Sequence, residues 1–93
     1  MRFPSYAQFV AVMGYCPADP SVIDRGGTSI WRISKNDNLC RFSEDGRSRV
    51  TACYTRNGQI GYVWNVGNDS GWNGPFNSFD DAMDHADLHV FGE

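Results

Sequence analysis

The sequence predicts an α+β fold: a four-stranded antiparallel β-meander with an N-terminal and a C-terminal helix packed on one face. Three observations point to it. Asp45-Gly46 and Asn57-Gly58 separate segments of alternating polarity. Such dipeptides suit tight hairpins because the central residues of a type I′ turn need positive φ. Capping residues open both end segments: Ser5 with Gln8 three residues later, and Ser78 ahead of an apolar stripe. Ninety-three residues are enough for one domain, residues 1–93, and too few for two.

The first helix starts at the Ser5/Gln8 capping box, carries Phe9, Val10, Val12 and Met13, and ends at Gly14 in a left-handed conformation. Pro17, Pro20, Gly26 and Gly27 mark the next stretch as a connection. Within it, Asp19-Pro20 is a cap followed by a first-turn proline, so one helical turn is expected from Pro20 to Asp24.

Four strands follow, at residues 28–34, 39–43, 48–56 and 59–66. With two-residue loops at Asp45-Gly46 and Asn57-Gly58 and a four-residue turn at 35–38, a register follows. Cys53 faces Tyr62, Thr51 faces Trp64, Cys40 faces Thr51, Phe42 faces Arg49, Ile33 faces Cys40 and Trp31 faces Phe42. The core face then collects Trp31, Ile33, Cys40, Phe42, Thr51, Cys53, Ile60, Tyr62, Trp64 and Val66. The second, exposed face collects Ile30, Arg32, Ser34, Leu39, Arg41, Val50, Ala52, Tyr54, Gly61, Val63 and Asn65.

Residues 67–77 read as a Gly- and Asn-rich loop carrying Trp72 and Phe76. Asn68-Asp69-Ser70 matches the N-glycosylation tripeptide in form, but a cytosolic chain would not use it. Ser78 caps the last helix, in which Phe79, Ala82, Met83 and Ala86 form one apolar stripe.

The net charge of −3 hides a segregation. Residues 1–28 are neutral, residues 29–66 sum to +3, and residues 67–93 carry −6 with no Lys or Arg. An acidic total argues against direct nucleic-acid binding, and an all-acidic final third suits a basic partner. No apolar run approaches the ~20 residues that span a bilayer, so no membrane partner is expected. The N-terminal stretch lacks a clear cleavage site. Together with three cysteines, an odd count with no C-x-x-C pair, this suits free thiols in a cytoplasmic chain.

Catalytic candidates are weak. Asp81, His85 and His89 share one side of the last helix at metal-ligand spacing, but no further His- or Cys-rich partner stands out. Cys16, Cys40 and Cys53 are potential nucleophiles, yet the register buries Cys40 and Cys53, where thiols are inert. No phosphate loop is present. No enzyme activity, cofactor or metal is therefore expected. The residues that remain are Asp80, Asp81, Asp84 and Asp87 as an acidic docking face, with Trp72 as an aromatic anchor. Arg32 and Arg41, opposed on the exposed face near Tyr54, are the alternative, ligand-binding set. Their like charges would be tolerated if an anion sat between them.

The ending from Gly74 to Met83 resembles a hairpin–loop–helix unit seen in many small α+β proteins. The acidic series Asp80, Asp81, Asp84 and Asp87, with the missing catalytic set, resembles the small accessory proteins of bacteriophages, especially anti-CRISPR proteins. That resemblance implies a non-enzymatic inhibitor in the host bacterial cytoplasm. It would use its acidic C-terminal helix to block a Lys/Arg-rich surface of a larger complex, one that otherwise binds nucleic acid. Nucleic-acid or small-ligand binding through Arg32, Arg41 and Tyr54 is the second reading. A third is an enzyme using the His85/His89 helix, and a homodimer through the outer sheet face is also open, because Ile30, Leu39, Val50 and Val63 make that face rather apolar.

Overall fold

The computed structural model describes residues 2–67 and 71–91. The Asn68-Asp69-Ser70 tripeptide lies outside them. Within these residues the chain is α+β, with two helices and a mixed six-stranded sheet.

Helix α1 (Tyr6–Met13) forms as its caps dictate. Ser5 Oγ accepts from the Gln8 amide at 3.1 Å, and the Gln8 side chain accepts from the Ser5 amide at 3.0 Å. Gly14 closes it with φ 77°. Asp19 caps a single 3-10 turn, Pro20–Val22, shorter than the expected turn to Asp24. Ile23–Arg25 instead forms strand β1, which lies parallel to β2 (Trp31–Ile33). The intervening residues 26–30 are stitched down by polar contacts, so Thr28 and Ser29 belong to a turn and not to the strand predicted there. Ser29 Oγ donates to Val22 O at 2.6 Å, and Asp24 Oδ2 accepts the Ser29 amide at 3.0 Å.

Strands β3 (Leu39–Phe42), β4 (Ser48–Tyr54) and β5 (Ile60–Val66) continue the sheet antiparallel. Strand β6 (Asn73–Phe76) pairs with β5 at the sheet edge, inside the stretch predicted to be loop. Its Gly74-Pro75 pair masks it in the sequence, and Pro fits an edge strand because it has no N–H to donate to a ladder. The four-stranded meander is therefore extended by one strand at each side.

The register differs from the prediction at two of three turns. The pairing of β3 with β4 is as expected, with Cys40 opposite Thr51 and Phe42 opposite Arg49. Between β4 and β5, Ala52 faces Tyr62 and Val50 faces Trp64. Between β2 and β3, Ile33 faces Leu39 and Trp31 faces Arg41. Both discrepancies have one cause: each turn carries three residues with the last in the left-handed region, Gly58 at φ 75° and Asp37 at φ 65°. In each, the flanking residues pair directly, Thr55 N to Gln59 O at 2.8 Å and Ser34 N to Asn38 O at 2.9 Å. A slip of one residue moves side chains to the opposite face. The two slips leave Trp31, Ile33, Ile60, Tyr62, Trp64 and Val66 on the core side as predicted. They exchange the faces of the two strands between.

The helix-covered face thus carries Leu39, Val50 and Ala52 with Tyr62 and Trp64. Both helices pack there, as predicted. Helix α2 (Phe79–Phe91) inserts Phe79, Ala82, Met83 and Ala86, all buried. Its start is set by Ser78, whose Oγ accepts the Asp81 amide at 3.0 Å. Phe79 is the hub: its ring lies 4.7 Å from Tyr62, 5.0 Å from Trp31 and 5.8 Å from Phe9 of α1. Truncating a core aromatic of this kind costs roughly 3–5 kcal/mol.

The other face is not bare. Cys40, Thr51, Cys53, Val63 and Asn65 are buried there. The N-terminal Phe3 and the segment around Trp72 cover part of it, their rings 5.5 Å apart. Pro75 presses so close over Gly61 that a Cβ at position 61 would sit 2.7 Å from its own Cβ.

Candidate functional site

Helix α2 and the turn after β3 enclose an acidic groove of about 500 Å³. Asp80, Asp84 and Asp87 recur at helical spacing along one rim, because positions i, i+4 and i+7 fall on one side of a helix. Glu44 and Asp45 form the other rim, and Ile30, Phe42 and Met83 contribute apolar surface between them. Among the described lining residues, Arg41 is the one cation in the wall. It belongs to the helix-covered face, because it pairs with Trp31 and Val50.

The charges in this groove are largely uncompensated. Among the described residues the ion pair within 4.0 Å joins Arg25 to Asp37, away from the groove. Asp45 is held by its own turn: its Oδ1 accepts the Ser43 hydroxyl at 2.7 Å and the Arg47 amide at 3.0 Å. The Ser43 bond, then the backbone one, lowers its pKa below the ordinary carboxylate value. Asp80, Asp84, Asp87 and Glu44 have no hydrogen-bond or ion-pair partner among the described side chains.

Three of the five predicted docking residues, Asp80, Asp84 and Asp87, therefore share one surface. Asp81 does not line the groove, and Trp72 lies on the opposite face of the sheet. There Trp72 is half-buried, packed on Phe3, with the Arg49 guanidinium 5.2 Å from its ring centroid. It is a lid over the sheet and not part of the acidic site.

The alternative set is dispersed, which corrects the expected opposition of two arginines. Arg32 pairs with Cys40, not Arg41, so the one-residue shift places the two arginines on opposite faces. Arg32 stacks over Phe42 at 4.0 Å. Tyr54 shares the helix-covered register with Ile60. Its amide donates to Arg2 O at 2.9 Å, and the Arg2 guanidinium lies 5.4 Å from its ring.

The catalytic candidates find local roles. Trp64 Nε1 donates to His85 Nδ1 at 3.0 Å, and the His85 ring lies 4.4 Å from His89 and 4.7 Å from Phe76. His85 therefore has only Nε2 free of this bond. Among the described residues no group of three or more His, Cys, Asp or Glu side chains is placed to hold a metal ion. All three cysteines are free. Burial pushes the Cys40 and Cys53 thiols above the usual value, which keeps them protonated. Cys16 Sγ lies 3.1 Å from the Tyr6 hydroxyl, and that bond raises the Tyr6 pKa.

Sequence reasoning found the helix rim and missed the turn rim. Glu44 and Asp45 are adjacent acids in a turn, a visible signal, but their position against α2 depends on the sheet register. Comparison with family models, with curated proteins and with solved structures finds no match. Among the described residues no helix is long and apolar enough to cross a membrane.

Proposed function

We propose that the chain is a protein-binding module whose acidic groove takes a Lys/Arg-rich segment of a larger protein or complex. One observation carries the reading: Asp80, Asp84, Asp87 and Glu44 line two rims of one groove around apolar surface, without a cation paired to any of them among the described residues. A basic partner with an apolar residue between its charges would satisfy both features. The charges would steer association, and Ile30, Phe42 and Met83 would supply apolar contact. Inhibition fits this geometry, because a module that covers Lys and Arg side chains displaces whatever anion they normally hold. If the resemblance to anti-CRISPR proteins holds, the target is a nucleic-acid-handling bacterial complex.

The test is affinity capture from bacterial lysate treated with nuclease, followed by mass spectrometry and by titration with the identified partner. The Asp84→Lys/Asp87→Lys protein is the control. The expected result is a partner retained after nuclease and bound at least tenfold more weakly by the control. Equal binding by both proteins, or capture that disappears with nuclease, would refute the acidic-groove reading.

A further inference from the structure

The opposite face of the sheet carries a second groove, of about 570 Å³ and opposite sign. Arg25, Arg32, Lys35 and Arg49 line it, with Phe42 as apolar wall and no carboxylate among the described lining residues. Arg25 is paired with Asp37 at 3.0 Å, which leaves Arg32, Lys35 and Arg49 around one concavity without an ion-pair partner among the described residues, in a chain of net charge −3. Like charges so close together repel, and a bound anion relieves that repulsion.

The guanidinium groups are already positioned. Arg32 Nε donates to Ser29 O at 2.6 Å and Nη2 to Thr28 O at 3.3 Å, while the guanidinium lies 4.0 Å from the Phe42 ring centroid. Arg49 Nε donates to Asn65 Oδ1 at 3.0 Å, with Trp72 5.2 Å away. Among the described residues these tethers leave Nη1 of Arg32 and both terminal nitrogens of Arg49 without a partner. Fixed guanidinium forks with free N–H groups are the geometry that takes phosphate oxygens in pairs. Of the nearby carboxylates, Asp37 is paired to Arg25 at 3.0 Å and Asp24 Oδ2 accepts the Ser29 amide.

Size and surroundings select among anions. Phe42 borders both this groove and the acidic one, so a long polyanion leaving the basic groove past Phe42 meets Glu44, Asp45 and the aspartates of α2. That boundary disfavours a continuous nucleic-acid strand. The volume suits a single nucleotide, and the Arg32–Phe42 stack offers a flat platform for a planar group. We infer that the groove bounded by Arg25, Arg32, Lys35, Arg49 and Phe42 is a binding site for a small phosphate-bearing ligand of nucleotide size. Its phosphates sit among Arg32, Lys35 and Arg49, and its planar or apolar part lies against the Arg32–Phe42 stack.

The experiment is isothermal titration of the full chain at low ionic strength with ADP, inorganic pyrophosphate, adenosine and a twelve-nucleotide oligo-dT. ADP and pyrophosphate are expected to bind, ADP the more tightly, and adenosine to give no heat. Lys35→Glu, at an exposed position, and Arg32→Gln should each weaken ADP at least tenfold. Asp84→Lys/Asp87→Lys should not weaken ADP binding, because the added positive charge can only favour an anion, and this separates the site from the acidic groove. Lys35→Glu guards against misreading a folding defect in Arg32→Gln. No heat with ADP and pyrophosphate, or affinity indifferent to Lys35→Glu and Arg32→Gln, overturns the inference. Oligo-dT binding tighter than ADP overturns it too, in favour of a polynucleotide surface.

Discussion

Trp64 donates its indole N–H to His85 Nδ1 at 3.0 Å, which ties the centre of the sheet to the middle of α2. The bond fixes the imidazole with its remaining nitrogen, Nε2, away from the indole. Trp64 is buried, so removing His85 leaves its N–H without its protein partner in a site with little access to water. The same ring packs against Phe76 of β6, so one side chain joins α2 to β5 and to the edge strand.

His85→Ala is expected to cost about 1–3 kcal/mol, the penalty of a buried donor left unsatisfied. His89→Ala, at an exposed position, should fall within about 0.5 kcal/mol of the parent protein. Urea unfolding followed by tryptophan fluorescence measures both. Equal effects from the two substitutions would show that the Trp64 bond contributes nothing.

The turn at Gly58 decides which side of β4 faces the helices. A turn of residues 56–58 with Gly58 at φ 75° pairs Thr55 with Gln59 and sends Val50, Ala52 and Tyr54 to the side of Tyr62 and Trp64. Nothing lies within 4 Å of a Cβ added at Gly58, so the cost of a side chain there is purely one of backbone conformation. Gly58→Val should destabilise the protein by about 1–2 kcal/mol, the penalty of a left-handed conformation for a β-branched residue. Gly58→Asn should cost less, because Asn tolerates that region. Thermal unfolding of the pair checks the order. A Val variant as stable as the Asn variant would mean that the turn has another conformation.

The same turn shows how much of the fold was legible. The Ser5/Gln8 box, the Ser78 cap and the stripe Phe79, Ala82, Met83 and Ala86 are local signals, and the helices form where those signals stand. Strand positions are legible from alternation, but Asn-Gly alone does not say whether a turn has two residues or three. Asp37 in the left-handed region gives no glycine signal at all. Strands β1 and β6 were hidden because Pro and Gly flank or interrupt them. The site inherits these limits: the α2 aspartates follow from helical spacing, whereas Glu44, Arg41 and the cations around Phe42 come together only through the true register.

Tyr62 makes stability sensitive to alkali. Burial, with a smaller contribution from Tyr15, pushes its hydroxyl up to about 12 from an ordinary value of 10.0. Between those values the folded protein keeps a proton that the unfolded chain has released. The unfolded state then binds fewer protons, so stability falls as pH rises through this window. Cys40 and Cys53, also raised by burial, act in the same direction. Stability should be level near neutrality with respect to these groups and decline from about pH 9 upward. The Tyr62 share is on the order of 2 kcal/mol by pH 12. Tyr62→Phe should flatten the decline in urea titrations between pH 9 and 11.5, and an identical slope in the variant would remove Tyr62 as its source.

The carboxylates of α2 are expected to be dispensable for folding. Asp80 and Asp81 stand in the first turn, where negative charge is favoured by the helix dipole. Asp84 and Asp87 lie further along, gain little from it, and repel Asp80 and each other at helical spacing. Aspartate is also a poorer helix former than lysine in a helix interior. Asp84→Lys/Asp87→Lys replaces repulsion by attraction to Asp80 and Asp81 and moves positive charge toward the C-terminal end. Neither residue is buried or hydrogen-bonded among the described residues, so no native contact is lost. The double variant should therefore match the parent protein or exceed it by about 0.5–1 kcal/mol in urea unfolding. A gain in stability together with a loss of the basic partner would place the acidic rim under selection for binding, since folding alone would favour the lysines. A loss of more than about 1 kcal/mol would instead assign the carboxylates a structural role, and weaker partner binding by the variant would then follow from the fold and not from the groove.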